Sequence, residues 1–488
     1  MYYYGASIQG IQGFIFATNK LQEIIGASEI VKRINYKFEN EIKKLEKNNK
    51  TKFVMSAAGN MKAVFYDKDE LQKFILKFKK EILNMAYGIT FSEAVVTIIG
   101  DEPTDEERNN LEENLKVQRN RPDIPIDMSL NITKLAPATA KPLVEIKEYK
   151  DNEKEELDKS SQQKRECYEL WKQRKCEHEK DENDEKKEDR TKYEEISYLS
   201  NSKNKIAVIH IDGNGLGSLI RNLTTPISEF SKNLDKATKE AFKKANKKHY
   251  KLREVILGGD DVSVICNADI ALQFTKDFLE NFEKETENRL GSKLTACGGI
   301  AICNEKYPFH YAIDLAEELC AIAKKDSKKI NEKLAPSSFM FHNVQSSNFE
   351  SWDLYVENEL TLNKDSEEKE NLVRCDFGPY YLDEKDNPEI DDLLNLISLF
   401  RMDNAPTSKL RNWLGMLDEN SYIAKKLLDR INDVLDKNMK ESINKVLKKL
   451  NPNLSMENLI VEIENKNKTP IYDVLQIISN TKEIKNEI

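Results

Sequence analysis

The stretch GGDD at 258–261 lies between two apolar runs, REVIL and VSVIC, and sets two carboxylates side by side. Consecutive residues of a strand point to opposite faces, so Asp260 and Asp261 can converge on one ligand only from a turn. Gly258 and Gly259 suit that turn, because they tolerate unusual backbone angles and let a ligand approach closely. A third carboxylate, Asp212, ends another apolar run, NKIAVIHID. Carboxylates gathered this closely repel one another and stay ionised best around hard cations such as Mg2+ or Mn2+. Two such ions suit phosphoryl or nucleotidyl transfer, one activating an attacking hydroxyl and the other neutralising a triphosphate and its pyrophosphate leaving group. Asp260 and Asp261 are therefore the candidate catalytic residues, and Asp212, Asp260 and Asp261 the candidate metal ligands. The plainer alternative, a polar surface hairpin, has no use for a carboxylate at a neighbouring strand end.

Positioning these acids requires Asp212 and the 258–261 turn to meet at one sheet edge. Read by period, NKIAVIHID is a strand, KLREVIL and DVSVIC are two strands joined by GGDD, and SKLTACGGIAIC is a fourth. Helical patterns fill the intervals, notably ADIALQFTKDFLENFEKETENRL. The order βαββαβ folds as a four-stranded antiparallel sheet with helices on one face, the ferredoxin-like arrangement. Strand one is then central, and its end lies beside the turn between strands two and three.

The same pattern occurs earlier. VMSAAGNMKAVF at 54–65 parallels the GGDD region, so Gly59 matches Gly259, Asn60 matches Asp260, and upstream Gln9 falls opposite Asp212. Gly88 likewise matches Gly291. Two copies of one fold are expected, the first without the acids. Residues 1–103 form the first copy, 104–203 a linker with a Lys/Glu-rich insert, 204–345 the second copy, and 346–488 a mainly helical C-terminal domain. The insert from about 145 to 195 reads as a solvated helix or disordered linker. The fold class is α+β, two ferredoxin-like domains in pseudo-symmetric tandem with helices following.

Rival motifs are weaker. GNGLGS at 213–218 follows a strand, but its spacing is not that of a dinucleotide fold; its better use is to let backbone at Gly213 and Asn214 approach a metal and nucleotide phosphates. No P-loop sequence occurs, and none of the five histidines is followed by Asp. Cys167, Cys176 and His178 are candidate zinc ligands, although C-x8-C-x-H lacks paired knuckles and a fourth ligand.

A length of 488 residues, a net charge of −9 and 33% charged residues describe a chain of more than one domain whose overall field repels phosphate. Contact with nucleic acid must then come from a local patch or a partner. Seven scattered cysteines, no leader pattern and no apolar run of bilayer length lead to the expectation of a soluble cytoplasmic protein away from membranes.

GIQGFIFATNKLQEIIGASEIV, AAGNMKAVF, HIDGNGLG, LGGDDVSVIC and AEELCAIAKK, in this order, resemble the large subunit of type III CRISPR effector complexes, the CRISPR polymerase. The resemblance spans nearly the whole chain apart from the acidic insert. It implies two palm domains, the second active, and an enzyme that joins ATP into cyclic oligoadenylate messengers when its complex captures foreign RNA. It implies roles for Gly213, Asn214, Gly258, Gly259 and Lys324 in nucleotide binding, and a second ATP held at Gly59 and Asn60 in the first palm. Other effector subunits, guide RNA and target RNA are the implied partners. The chain starts at the first palm with no His-Asp nuclease signature, so DNA cleavage is not expected. A silent scaffold subunit, a standalone defence cyclase and a diguanylate-type enzyme remain as alternatives.

Overall fold

The computed structural model describes residues 1–57, 59–121, 130, 132–148, 154–178, 196–216, 219, 227–247, 250–345, 351–363 and 372–483. The chain divides into two compact units, Met1–Glu195 with Leu223–Asp235, and Ile196–Asn222 with Lys236–Ile488.

The first unit opens with β1 (Tyr2–Gln9), α1 (Ile11–Ile15), α2 (Leu21–Glu46), β2 (Thr51–Ala57), β3 (Asn60–Phe65), α3 (Lys68–Met85) and β4 (Thr90–Thr97). Its sheet runs β2-β3-β1-β4, all antiparallel, which is the ferredoxin-like order with strand one inside. Alternation along β1 divides the core. Tyr4 meets Phe38, Phe65 and Phe74 on the side of α2 and α3, while Tyr3 clusters with Val64, Leu111 and Leu115 on the other. Leu111 and Leu115 belong to α4 (Asp105–Arg119), which starts at a capping box between Thr104 and Glu107.

The charged insert departs from the expected linker. A hairpin of β5 (Glu145–Glu148) and β6 (Lys154–Leu157) leads into α5 (Lys159–His178), which packs on α2. Arg165 is buried there, with Nε 3.0 Å from Glu23 Oε1 and a second nitrogen 2.8 Å from Glu155 Oε2. Lys164 is also buried and donates to the Phe14 carbonyl at 2.7 Å. A Cβ at Gly26 would lie only 1.8 Å from the Lys164 carbonyl oxygen, so α2 and α5 approach backbone to backbone. Composition signals a solvated helix but not a packed one, because its charges are satisfied by partners distant in sequence.

The second unit contains α6 (Ile196–Leu199), β7 (Lys205–Gly213), the latter part of α7 (Ile227–Ala245), β8 (Leu252–Gly258), β9 (Asp261–Asn267), α8 (Ala271–Leu290), β10 (Ala296–Asn304), α9 (Phe309–Ile330) and β11 (Ser338–Asn343). The ferredoxin-like order recurs as β10-β7-β9-β8. Two features go beyond the expected four strands with helices on one face. First, β11 adds parallel to β10, and β14 (Tyr380–Tyr381) pairs with β11, giving six strands.

Second, helices cover both faces. On one face a Cβ at Gly298 would meet Thr275 of α8 at 3.1 Å; on the other, a Cβ at Gly299 would fall 1.8 Å from the Ala316 carbonyl oxygen of α9. Only adjacent glycines allow both helices to seat on β10, and every residue from Ala296 to Cys303 is buried as a result. After β11 come α10 (Trp352–Glu359), β12 (Thr361–Leu362), β13 (Val373–Arg374), α11 (Ile390–Phe400), α12 (Thr407–Glu419), α13 (Ser421–Val434), α14 (Lys437–Leu450), β15 (Val461–Ile463), β16 (Lys466–Lys468) and α15 (Ile471–Asn480). This part is mainly helical, with a small sheet in the order β12-β13-β16-β15. Among the described residues no helix is long and apolar enough to cross a membrane.

Candidate active site

The hairpin between β8 and β9 closes on the pair Gly258 and Asp261, leaving Gly259 and Asp260 at its tip. Gly259 takes φ +64°, a left-handed conformation that explains glycine at this position. Its carbonyl accepts a hydrogen bond from the buried Thr238 of α7, which anchors the turn. Asp212 reaches the same edge as the penultimate residue of β7, paired with Cys297 of β10. Asp212 and Asp260 face each other closely enough for each charge to disfavour the other. A Cβ at Gly213 would lie 2.7 Å from Asp260 Cβ, so this glycine is required by the close approach of strand and turn.

The electrostatics follow from crowding. Burial, then the neighbouring Asp212 charge, pushes Asp260 up to about 6. Burial, followed by Asp212, Asp260 and Glu317, pushes Asp261 up to about 7. Lys324 of α9 opposes both shifts; its Nζ lies 2.5 Å from Asp212 Oδ2 and 2.6 Å from the Gly213 carbonyl oxygen. Asp261 Oδ1 is buried without a hydrogen-bond partner. The carboxylates are thus under-compensated by protein groups alone, a donor set suited to hard cations. In the structure the positive charge at Asp212 is the Lys324 ammonium, and among the described residues no group of three His, Cys, Asp or Glu side chains is already gathered at metal-binding distances.

Two residues at this edge have no counterpart in the sequence reading. His210, two residues before Asp212 on the same face of β7, is buried with Nδ1 3.3 Å from Ser263 Oγ and 3.6 Å from Asp261 Oδ1. Burial lowers its pKa to about 4, so it is a neutral neighbour of the acids at pH 7. Glu317, on α9, interacts with Asp261; burial and then Asp314 push it up to about 7, and its Oε1 has no partner. Its helix was visible in the sequence, but its direction was not.

Asn214 turns away from the turn. Its side chain is buried, with Nδ2 3.1 Å from Thr295 Oγ1 and 3.4 Å from the Ala335 carbonyl oxygen. Of GNGLGS, Gly217 and Ser218 lie outside the described residues. Cys167 is buried, whereas the side chains of Cys176 and His178 lie outside the described residues.

Strand register corrects the match between the two copies. The β2–β3 hairpin closes on Ala57 and Asn60, as β8–β9 closes on Gly258 and Asp261, so Asn60 stands where Asp261 does and Gly59 where Asp260 does. Across β1, Asn60 pairs with Ser7, so Ser7 rather than Gln9 takes the place of Asp212. Ser7 Oγ donates to Asn60 Oδ1 at 3.0 Å, and Arg119 of α4 lies 3.5 Å from Ser7 Oγ. Arg119 in the first copy and Lys324 in the second both reach the first strand from the helix that follows the fourth. Aligning the motifs on their glycines placed the pairs one residue off, because Gly59 directly precedes the closing residue Asn60 whereas Gly259 precedes Asp261 by two.

Residues 205–332 match the family model described as Cas10/Cmr2, second palm domain. Among solved structures, a Csm1-Csm4 cassette in complex with pppApA is similar at 14% identity and a TM-score of 0.50, covering 98% of this chain and 69% of that one. The same coverage and identity, at a TM-score of 0.49, hold for a Csm1-Csm4 cassette in complex with cA4 and for a Csm1-Csm4 subcomplex in the type III-A CRISPR-Csm interference complex. No curated protein matches the sequence. The fold and turn define a tandem-palm protein with its acidic hairpin in the second palm. Residues 205–332 are thus similar to the second palm domain of Cas10/Cmr2, and the chain as a whole shares the fold of Csm1 in the cassette with pppApA.

Proposed function

We propose that the second palm is a nucleotidyltransferase site that joins ATP into linear and then cyclic oligoadenylates, as the RNA-activated large subunit of a type III CRISPR effector complex. The reading rests on one observation: Asp212, Asp260 and Asp261 crowd at one sheet edge with insufficient protein countercharge. These residues would hold two Mg2+ or Mn2+ ions, which when bound supply activation of the attacking hydroxyl and neutralisation of the triphosphate. In the reaction a 3′-oxygen bonds to the α-phosphorus of ATP, the bond from that phosphorus to the β-bridging oxygen breaks, and pyrophosphate leaves.

The protein's own contribution is positional. Gly213, Gly258 and Gly259 keep the edge free of side chains, so phosphates can approach the backbone. Lys324 exchanges Asp212 for a phosphate oxygen when nucleotide binds. Gly59 and Asn60, with Ser7, hold the second ATP in a first palm whose neutral groups bind no metal. The similar Csm1-Csm4 cassette in complex with pppApA supports an adenylate substrate and an effector-subunit partner; guide and target RNA belong to the proposal alone.

Purified protein, alone and with its cognate subunits and target RNA, is incubated with ATP or GTP and Mg2+ or Mn2+, and products are read by mass spectrometry. Oligoadenylate and pyrophosphate from the wild type, absent in Asp260→Asn/Asp261→Asn, are the expected result. A complete complex that makes neither product indicates a scaffold subunit. Products from GTP alone indicate a diguanylate-type enzyme, and products without any partner a standalone cyclase.

A further inference from the structure

His210 is the one polar side chain in the middle of β7. Its neighbours Ile206, Ala207, Val208, Ile209 and Ile211 are buried apolar residues, and it is itself only 8% exposed. It pairs with Ser263 of β9 on one side and with Gly299 of β10, the seat of α9, on the other. Burying an imidazole in such a place is costly unless its nitrogens are hydrogen-bonded, and an apolar side chain would serve packing better. Nδ1 lies 3.3 Å from Ser263 Oγ and 3.6 Å from Asp261 Oδ1, and that carboxylate oxygen is buried without a hydrogen-bond partner among the described residues. A ring nitrogen able to donate therefore faces an oxygen that lacks a donor. The first copy has neither group. By register Gly5 and Lys62 stand where His210 and Ser263 do, Asn60 stands for Asp261, and Leu111 of α4 takes the space, 2.7 Å from a Cβ at Gly5. The histidine occurs only in the copy that carries the acids.

We infer that His210 is a positioning residue for the transfer reaction: its Nδ1–H donates to Asp261 Oδ1 and so turns the other carboxylate oxygen toward the cation. The role rests on the metal-bearing site proposed above. Asp261 is the first residue of β9, directly after the turn, and its carboxylate must be held in one orientation to serve as a ligand. Metal-ligating carboxylates are themselves hydrogen-bonded, and such partners fix their direction. The 3.6 Å separation is just beyond hydrogen-bond range and closes with a small turn of the carboxylate. Ser263 Oγ meets the same ring nitrogen, which keeps that edge of the imidazole toward Asp261. Lys324 does not supply this bond, because its ammonium is committed to Asp212 and to the Gly213 carbonyl. With Nδ1 protonated, Nε2 carries the lone pair, so the tautomer decides whether the histidine can act in this way.

Two measurements on the full chain test it. In metal-free protein with 15N-labelled histidine at pH 8, where Asp261 is ionised and His210 neutral, the ring nitrogen shifts report which nitrogen holds the proton; His210→Asn identifies the signals by their loss. The proton is expected on Nδ1. A proton on Nε2 leaves Nδ1 able only to accept, and overturns the inference. In Mn2+ titrations, His210→Leu and His210→Gln are expected to bind at least about tenfold more weakly than wild type, the range for loss of a group that supports a metal ligand. His210→Asn should stay close to wild type, because its amide nitrogen takes the place of Nδ1, whereas that of glutamine takes the place of Nε2. Wild-type affinity in His210→Leu overturns the inference. Equal losses in the Asn and Leu variants do so too, since they make the fit of the ring, rather than its Nδ1–H, what matters. Mn2+ binding undiminished in Asp260→Asn/Asp261→Asn rejects the metal site itself, a separate failure, and the tautomer then still reports whether His210 donates to Asp261.

Discussion

The Nζ of Lys324 lies 2.5 Å from Asp212 Oδ2, so the ammonium of α9 is the cation nearest the acids at the end of β7. The same nitrogen bonds the Gly213 carbonyl oxygen at 2.6 Å, which ties α9 to the strand end. Lys324→Met removes a charge that favours ionised Asp260 and Asp261. Nucleotidyl transfer is expected to fall about 100-fold, in the range for loss of one preorganised electrostatic group. Without divalent ions, the melting temperature should fall more at pH 8 than at pH 5.5, because only ionised acids miss the ammonium. Equal losses at both pH values would show a merely structural lysine.

Asp260→Asn/Asp261→Asn should abolish activity and yet stabilise the metal-free protein at neutral pH. Folding raises these carboxyls from 3.8 to about 6 and about 7, so their stabilising contribution is complete below pH 4 and is lost as pH rises through 6 and 7. Removing that dependence is expected to gain about 1–2 kcal/mol at pH 8, after allowing for solvent screening, and to leave stability at pH 4 little changed. Denaturant melts at the two pH values measure it.

Metal binding at these acids must displace protons. Titration of Mn2+ at pH 6.5 in buffers of different ionisation enthalpy should show proton release, and less of it at pH 8, where Asp260 and Asp261 are already ionised. Proton release independent of pH, or unchanged in Asp260→Asn/Asp261→Asn, argues against metal ligation by this turn.

Gly213→Ala introduces a methyl 2.7 Å from Asp260 Cβ, and the turn must move to accept it. A displacement near 1 Å at reacting groups costs about 100-fold in rate. The expected signature is a kcat loss of that size with a circular dichroism spectrum like the wild type. An active Gly213→Ala would mean that the strand end and the turn need not meet.

Arg165→Ala tests the buried pairing in the first unit. It leaves Glu23 buried without its guanidinium and is expected to cost about 3–5 kcal/mol in chemical denaturation. Arg165→Met/Glu23→Gln should recover much of that loss, since no charge is then left unpaired.

What the sequence by itself determined is the arrangement that repeats: strand periods, the glycines that punctuate them, and an acidic turn opposite a strand ending in Asp212. These are local properties, set by alternation and by backbone freedom, and both sheets follow the expected order around a central first strand. Tertiary structure decided the rest. The direction of Glu317 and Lys324 depends on how α9 seats on Gly299. The place of Ser7 opposite Asn60 depends on hairpin register, which counting along the chain cannot supply. Arg165 and Lys164 become interior groups only because Glu23, Glu155 and the Phe14 carbonyl meet them from elsewhere in the chain. Charge can be read from composition; whether it is solvated or paired is settled when distant segments pack.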